Sequence, residues 1–137
     1  MPYDIFGFVE TRPRVDGSCW LAAFSVSETI GSPDDFSGDI FGLSKFSHAG
    51  APFANRGLPE DVSPEVQEWL ASTARFEMEE GAGSGDLGHT YATLEELKQV
   101  NVSPSSAWQA LFAMISELQH EFEFPDAEIR VVLWANW

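Results

Sequence analysis

Positive charge is scarce in this chain: 7 Lys and Arg stand against 22 Asp and Glu, a formal net charge of -15 over 137 residues. A surface of that sign repels nucleic acid and anionic membranes at long range and draws basic partners. Direct nucleic-acid binding and adhesion to a membrane are therefore not expected. Cysteine is nearly absent too. The single Cys19 allows no intrachain disulfide and fits a reducing, cytoplasmic setting. Within the apolar run Cys19-Trp20-Leu21-Ala22-Ala23 it is expected to be packed inside. No continuous apolar run reaches the length of a membrane helix, and no basic stretch precedes one, so neither a span nor a secretory leader is expected.

The usual chemical motifs are also missing. His48, His89 and His120 are too dispersed for a zinc-hydrolase pair, and one cysteine builds no thiolate cluster. No metal or other cofactor is expected. The glycines at 81, 83, 85 and 88 are not followed by the Lys-Ser or Lys-Thr pair of a phosphate loop. No Gly-x-Ser-x-Gly elbow supports serine hydrolysis. Whether the chain is an enzyme stays open at this level.

What the chain has is apolar mass. Hydrophobic residues make up 44% of it and aromatics 13%, with 11 Phe and 5 Trp, too much for a disordered acidic segment. Its length is that of one ordinary domain. Residues 1–137 are expected to form a single α+β domain, a small antiparallel or mixed sheet of about four strands packed against two main helices on one face. Tyr3 to Glu10 reads as a strand, Thr11 to Gly17 as a turn and Ser18 to Val26 as its hairpin partner, with Arg12 and Arg14 near the tip. Asp39 is placed at the start of a helix carrying Ile40, Phe41, Leu43 and Phe46. Ser47 to Pro59 is a long loop of the kind that often carries function.

Ser63 and Pro64 open a helix with Val66, Trp69, Leu70 and Thr73 on one face. Beyond Thr73 the alternation of Arg75, Glu77 and Glu79 with Phe76, Met78 and Glu80 favours a strand. Thr93-Leu94-Glu95-Glu96 is a capping box. Ser103 and Pro104 open the last helix, whose stripe is Trp108, Leu111, Phe112, Ile115, Leu118 and Phe122. Ile129 to Trp134 is a strand apolar on both faces, which suits the middle of a sheet.

Several polar residues are site candidates. Asp4 and Glu10 share one face of the first strand but lie roughly 20 Å apart when extended, too far for paired glycosidase carboxylates. Asp39 with His48, and His89 with Asp86, are pairs that folding could bring together. His89 follows the glycine-rich loop, where its ring either meets a ligand or bonds to backbone. Arg56, between Phe53 and Leu58, either pins its own loop through Glu60 or Asp61 or clamps a carboxylate or phosphate with its planar fork. Trp134 and Trp137 are candidate aromatic anchors for a partner.

Taken together, Tyr3-Asp4-Ile5-Phe6-Gly7-Phe8-Val9-Glu10, Asp39-Ile40-Phe41-Gly42-Leu43, Arg56-Gly57-Leu58-Pro59 with Asp61 and Ser63, Gly88-His89-Thr90-Tyr91 and Val131-Val132-Leu133-Trp134 have a familiar order. The chain resembles a family of small uncharacterised proteins of actinobacteria, other bacteria and their phages. Phe6 stands where that family often carries a histidine. The resemblance implies no activity; it implies a phage or phage-like origin and marks Asp4, Arg56 and His89 for mutation. Two functions follow. The first is an acidic binding protein that occupies a basic surface of a partner protein. The second is a small-molecule or nucleotide-binding protein, with or without hydrolysis, whose pocket uses Arg56, His89 and Asp4.

Overall fold

A computed structural model describes residues 4–12, 19–30, 34–43, 50–80 and 86–136. The elements run β1 (Asp4–Thr11), β2 (Leu21–Ser25), α1 (Ser27–Ile30), α2 (Asp35–Phe41), α3 (Pro64–Glu80), β3 (Asp86–Thr93), α4 (Leu94–Leu97), α5 (Ser106–Phe122), a 3-10 turn at Asp126–Glu128, and β4 (Ile129–Asn136). The strands form one four-stranded sheet in the order β2-β1-β4-β3, antiparallel at every pairing. This is the α+β class read from the sequence. The turn residues 13–18, including Arg14, lie outside the described residues, as do His48 and Trp137.

Strand β4 is central, as its two apolar faces require. Its register with β1 sets Ile5 against Ala135, Gly7 against Leu133 and Val9 against Val131 on one side, and Phe6 against Trp134, Phe8 against Val132 and Glu10 against Arg130 on the other. The first side packs on Phe36, Ile40 and Phe41 of α2 and on Trp108, Leu111 and Ile115 of α5. The second packs on Val66, Trp69 and Leu70 of α3 and on Leu58 and Val62 before it. The two long helices therefore cover opposite faces, not one as expected. A single covered face would leave Val132 and Trp134 in water, a cost of about 1.5–3 kcal/mol for each large side chain.

Gly7 lets the central strands close. Its φ is +155°, and a Cβ built there would sit 2.0 Å from the Val132 carbonyl oxygen. No other residue type fits without moving β4.

Local sequence places the helix ends with three shifts. Helix α2 starts earlier than expected: Asp34 caps it by accepting from Ser37 N at 2.9 Å, which puts Asp39 in its last turn, exposed. Helix α5 is capped by Ser105, not Ser103. The Ser105 hydroxyl also donates to the second oxygen of Asp34, so one carboxylate ties the starts of α2 and α5 together. Helix α3 runs on to Glu80 where a strand was expected. Glu, Met and Arg are good helix formers, and no glycine or proline interrupts them before Gly81. The Thr93 capping box forms as read, with Glu96 N donating to Thr93 Oγ1 and Thr93 N donating back to Glu96.

Candidate functional site

Glu10 and Arg130 sit directly opposite each other on the central pair of strands. Both are buried. Arg130 Nε donates to Glu10 Oε1 at 2.6 Å; its Nη1 reaches Asp61 Oδ1 at 3.0 Å and its Nη2 the Asp61 carbonyl at 3.1 Å. The other Glu10 oxygen accepts from Ser63 N at 2.7 Å, and Ser63 in turn caps α3 through Val66 N. The guanidinium plane lies 3.9 Å from the centre of the Trp20 ring. Burial by itself would raise the Asp61 carboxyl, but the Arg130 hydrogen bond and charge outweigh it and hold that group below its usual range. No buried side-chain polar atom of this centre lacks a partner. Glu10, a site candidate by sequence, is thus a structural brace between β1, β4 and the start of α3.

Arg56 is engaged as well. Asn55 and Gly57 take positive φ, and Gly57 N donates to His89 O at 2.9 Å, which docks the loop on β3. That turn carries the guanidinium over the ring of Tyr91 (4.5 Å) and near Phe53 (5.4 Å). Its Nη1 donates to Tyr91 O and to the Glu96 carboxylate, each at 3.0 Å. The expected pairing with Glu60 or Asp61 does not occur: the left-handed turn points Arg56 across to β3, and Asp61 belongs to Arg130.

His89 is half-buried on β3, its ring 5.9 Å from that of Trp134. Trp134 is 0% exposed, so it is no surface anchor; it packs against Phe8 and Trp69, and its buried indole N–H has no hydrogen-bond partner among the described residues. Placing it on the central strand is what buries it. Asp4 lies on β1, with β4 between it and β3, so about 10 Å of sheet separates the strands of Asp4 and His89. The structure thus brings Arg56 and His89 onto adjoining segments and leaves Asp4 and Glu10, on β1, apart from them. Among the described residues no group of three or more His, Cys, Asp or Glu converges as a metal site.

A different feature escaped the sequence reading. A cavity of about 370 Å³ opens between α4 and α5, lined by Leu94, Leu97, Val100, Phe112 and Ile115, with Lys98, Ser116 and Gln119 among its polar members. The pattern within either helix does not show that α4 and α5 leave a groove between them. The available signal was the width of the α5 stripe, in which Phe112 and Phe122 exceed what the sheet face needs.

Charge at the surface is one-sided. Of the chain's seven cationic residues, four pair with carboxylates: Arg12 with Glu128 (2.6 Å), Arg56 with Glu96 (3.0 Å), Lys98 with Asp126 (2.8 Å), and Arg130 with Glu10 and Asp61. Asp35, Glu60, Glu95, Glu117, Glu121 and Glu123 are exposed. Two large apolar side chains of α5 share that surface, Met114 at 43% and Phe122 at 64% exposure. No family model, curated protein or solved structure matches the chain.

Proposed function

We propose that the chain is an acidic binding protein that occupies a basic surface of a partner protein. One observation carries this reading: Arg12, Arg56, Lys98 and Arg130, four of only seven cations, are each matched by a carboxylate, which leaves the exposed acids of α4 and α5 as the field a partner meets. Such a field speeds encounter with a basic protein and repels nucleic acid, which makes the interaction strongly salt-dependent. Exposed Phe122 and Met114 supply the apolar contact that charge alone lacks. A cytoplasmic setting belongs to the same reading, since Cys19 is an exposed free thiol of the kind reducing compartments preserve. No described helix is long and apolar enough to cross a membrane.

The alternative pocket of Arg56, His89 and Asp4 receives less support, because Arg56 is committed to Glu96 and Tyr91 and Asp4 stands apart. The test is retention of basic proteins on the immobilised chain as salt is raised from about 0.01 M to about 0.5 M, beside polyglutamate of matched charge. Selective retention of some basic proteins at low salt, beyond what polyglutamate retains, is expected. Retention no better than polyglutamate would end the proposal.

A further inference from the structure

We infer that the groove between α4 and α5 is the docking surface of this binding activity, and that it takes the apolar face of a positively charged amphipathic helix on the partner protein. The inference rests on the reading above and adds the place and the shape of the contact. Three features of the groove point to that occupant.

The first is its lining. Leu94 and Leu97 of α4, Val100, Val102 and Pro104 of the following segment, and Phe112 and Ile115 of α5 make it apolar, and Val102 remains 43% exposed. The second is its length. Phe112, Ile115 and Gln119 border the groove, and Phe122 continues their row three residues on, exposed at 64% and 6.2 Å from Phe124. From position 112 to 122 the row spans about 15 Å, nearly three turns, which matches helix anchors at i, i+3 or i+4, i+7, and i+10 or i+11. A small molecule held within the cavity would leave Phe122 unused.

The third is charge. Lys98, the cation at the groove, is held by Asp126 at 2.8 Å, and Gln119 donates to the same carboxylate at 2.8 Å. That clasp neutralises the ammonium and fixes one wall. Glu95 follows the lining residue Leu94 on α4 and Glu123 follows Phe122 at the end of the row, both exposed, in a chain whose net charge is -15. An apolar trough in so acidic a chain is complementary to a helix with an apolar stripe and basic flanks.

The experiment uses two synthetic Lys/Leu peptides of identical composition, each about five turns long. One gathers its leucines on a single helical face; the other scatters them. Calorimetric titration into the full chain at low salt is run with the wild type, with Ser116→Trp, which fills the groove from an exposed position, and with Val102→Asn, which makes its rim polar without altering charge. Thermal melts confirm that the variants fold. The one-faced peptide is expected to bind at least tenfold more tightly than the scattered one, and each variant to remove most of that advantage while leaving the scattered peptide unaffected. Equal binding of the two peptides, or an advantage untouched by both variants, overturns the groove while charge-driven binding stands. Displacement of neither peptide by the other together with occupancy of the groove by octanol assigns it to a small molecule and overturns the proposal. Failure of both peptides to bind at low salt overturns the binding function itself.

Discussion

Removing the Arg130 guanidinium tests whether the buried centre braces the fold. Arg130→Met keeps the aliphatic stem but deletes the bonds to Glu10 at 2.6 Å and to Asp61 at 3.0 and 3.1 Å, together with the stacking on Trp20 at 3.9 Å. Glu10 is left fully buried, with its carboxylate compensated by Ser63 N alone. Breaking a buried pair from one side costs about 3–5 kcal/mol, because the remaining charge cannot return to water. With a urea slope of about 2 kcal/mol per molar, that predicts a midpoint lower by about 1.5–2.5 M. Arg130→Lys should fall between the two, since one ammonium does not reproduce the fork that reaches Glu10 and Asp61 together. The double variant Glu10→Leu with Arg130→Met should recover much of the loss, leaving about 1–3 kcal/mol for the orphaned Ser63 N–H. Equilibrium urea unfolding followed by tryptophan fluorescence reads all three. A midpoint shift under about 0.5 M for Arg130→Met would refute the brace, as would a double variant no better than the single one.

Gly7→Ala is expected to cost at least about 3 kcal/mol or to abolish soluble expression, because its Cβ would meet the Val132 carbonyl at 2.0 Å; a melting temperature within a few degrees of wild type would count against the close approach of β1 and β4. Burial opposes the ionised Glu96 carboxyl, but hydrogen bonds from Arg56 and Thr93 prevail and hold it below its ordinary 4.5. Its stabilising contribution is therefore complete above pH 4.5 and lost as pH falls through the lowered value. Arg56→Met should be less stable than wild type at pH 7, by on the order of 1 kcal/mol, with the deficit fading below that window; urea midpoints across pH that keep a constant difference would contradict the pairing. Cys19 is exposed, so a thiol reagent should label it in the native protein, and labelling seen only after denaturation would place it inside the fold.

What the sequence made legible was local. The Thr93 capping box, the Ser63 cap and the Trp108, Leu111 and Ile115 part of the α5 row each depend on residues within a turn or two, and these appear, while Phe122 of that row is exposed. Boundaries slipped where two equivalent signals lay close together: Ser103 and Ser105 both suit a cap, and Asp34 competes with Asp39. The errors of consequence were non-local. Cys19 shares a run with Trp20 and Ala22, yet it lies just before β2 at the sheet edge and stays exposed while Trp20 is buried beneath Arg130. Trp134 near the end of the chain reads as an exposed anchor until β4 is placed between β1 and β3. Glu10 was marked as a candidate, but its partner lies 120 residues away, beyond any pattern in the chain.

Under the proposed function, the distribution of charge links stability to binding. A chain with many acids and few bases gains little by leaving its bases at the surface, where each is worth about 0–1 kcal/mol and weakens the outward field locally. Here Arg130 lies inside, Arg56 lies between aromatic rings, and Lys98 is clasped at the edge of the groove. Each such cation joins elements distant in sequence: β4 to β1, the loop at 56 to α4, and α4 to the turn at Asp126. Four of the seven bases are thus committed to internal ties, and exposed acids such as Glu95, Glu117 and Glu121 remain at the surface. In the proposed reading, the pairing that holds the layers together also leaves the net negative field that draws a basic partner.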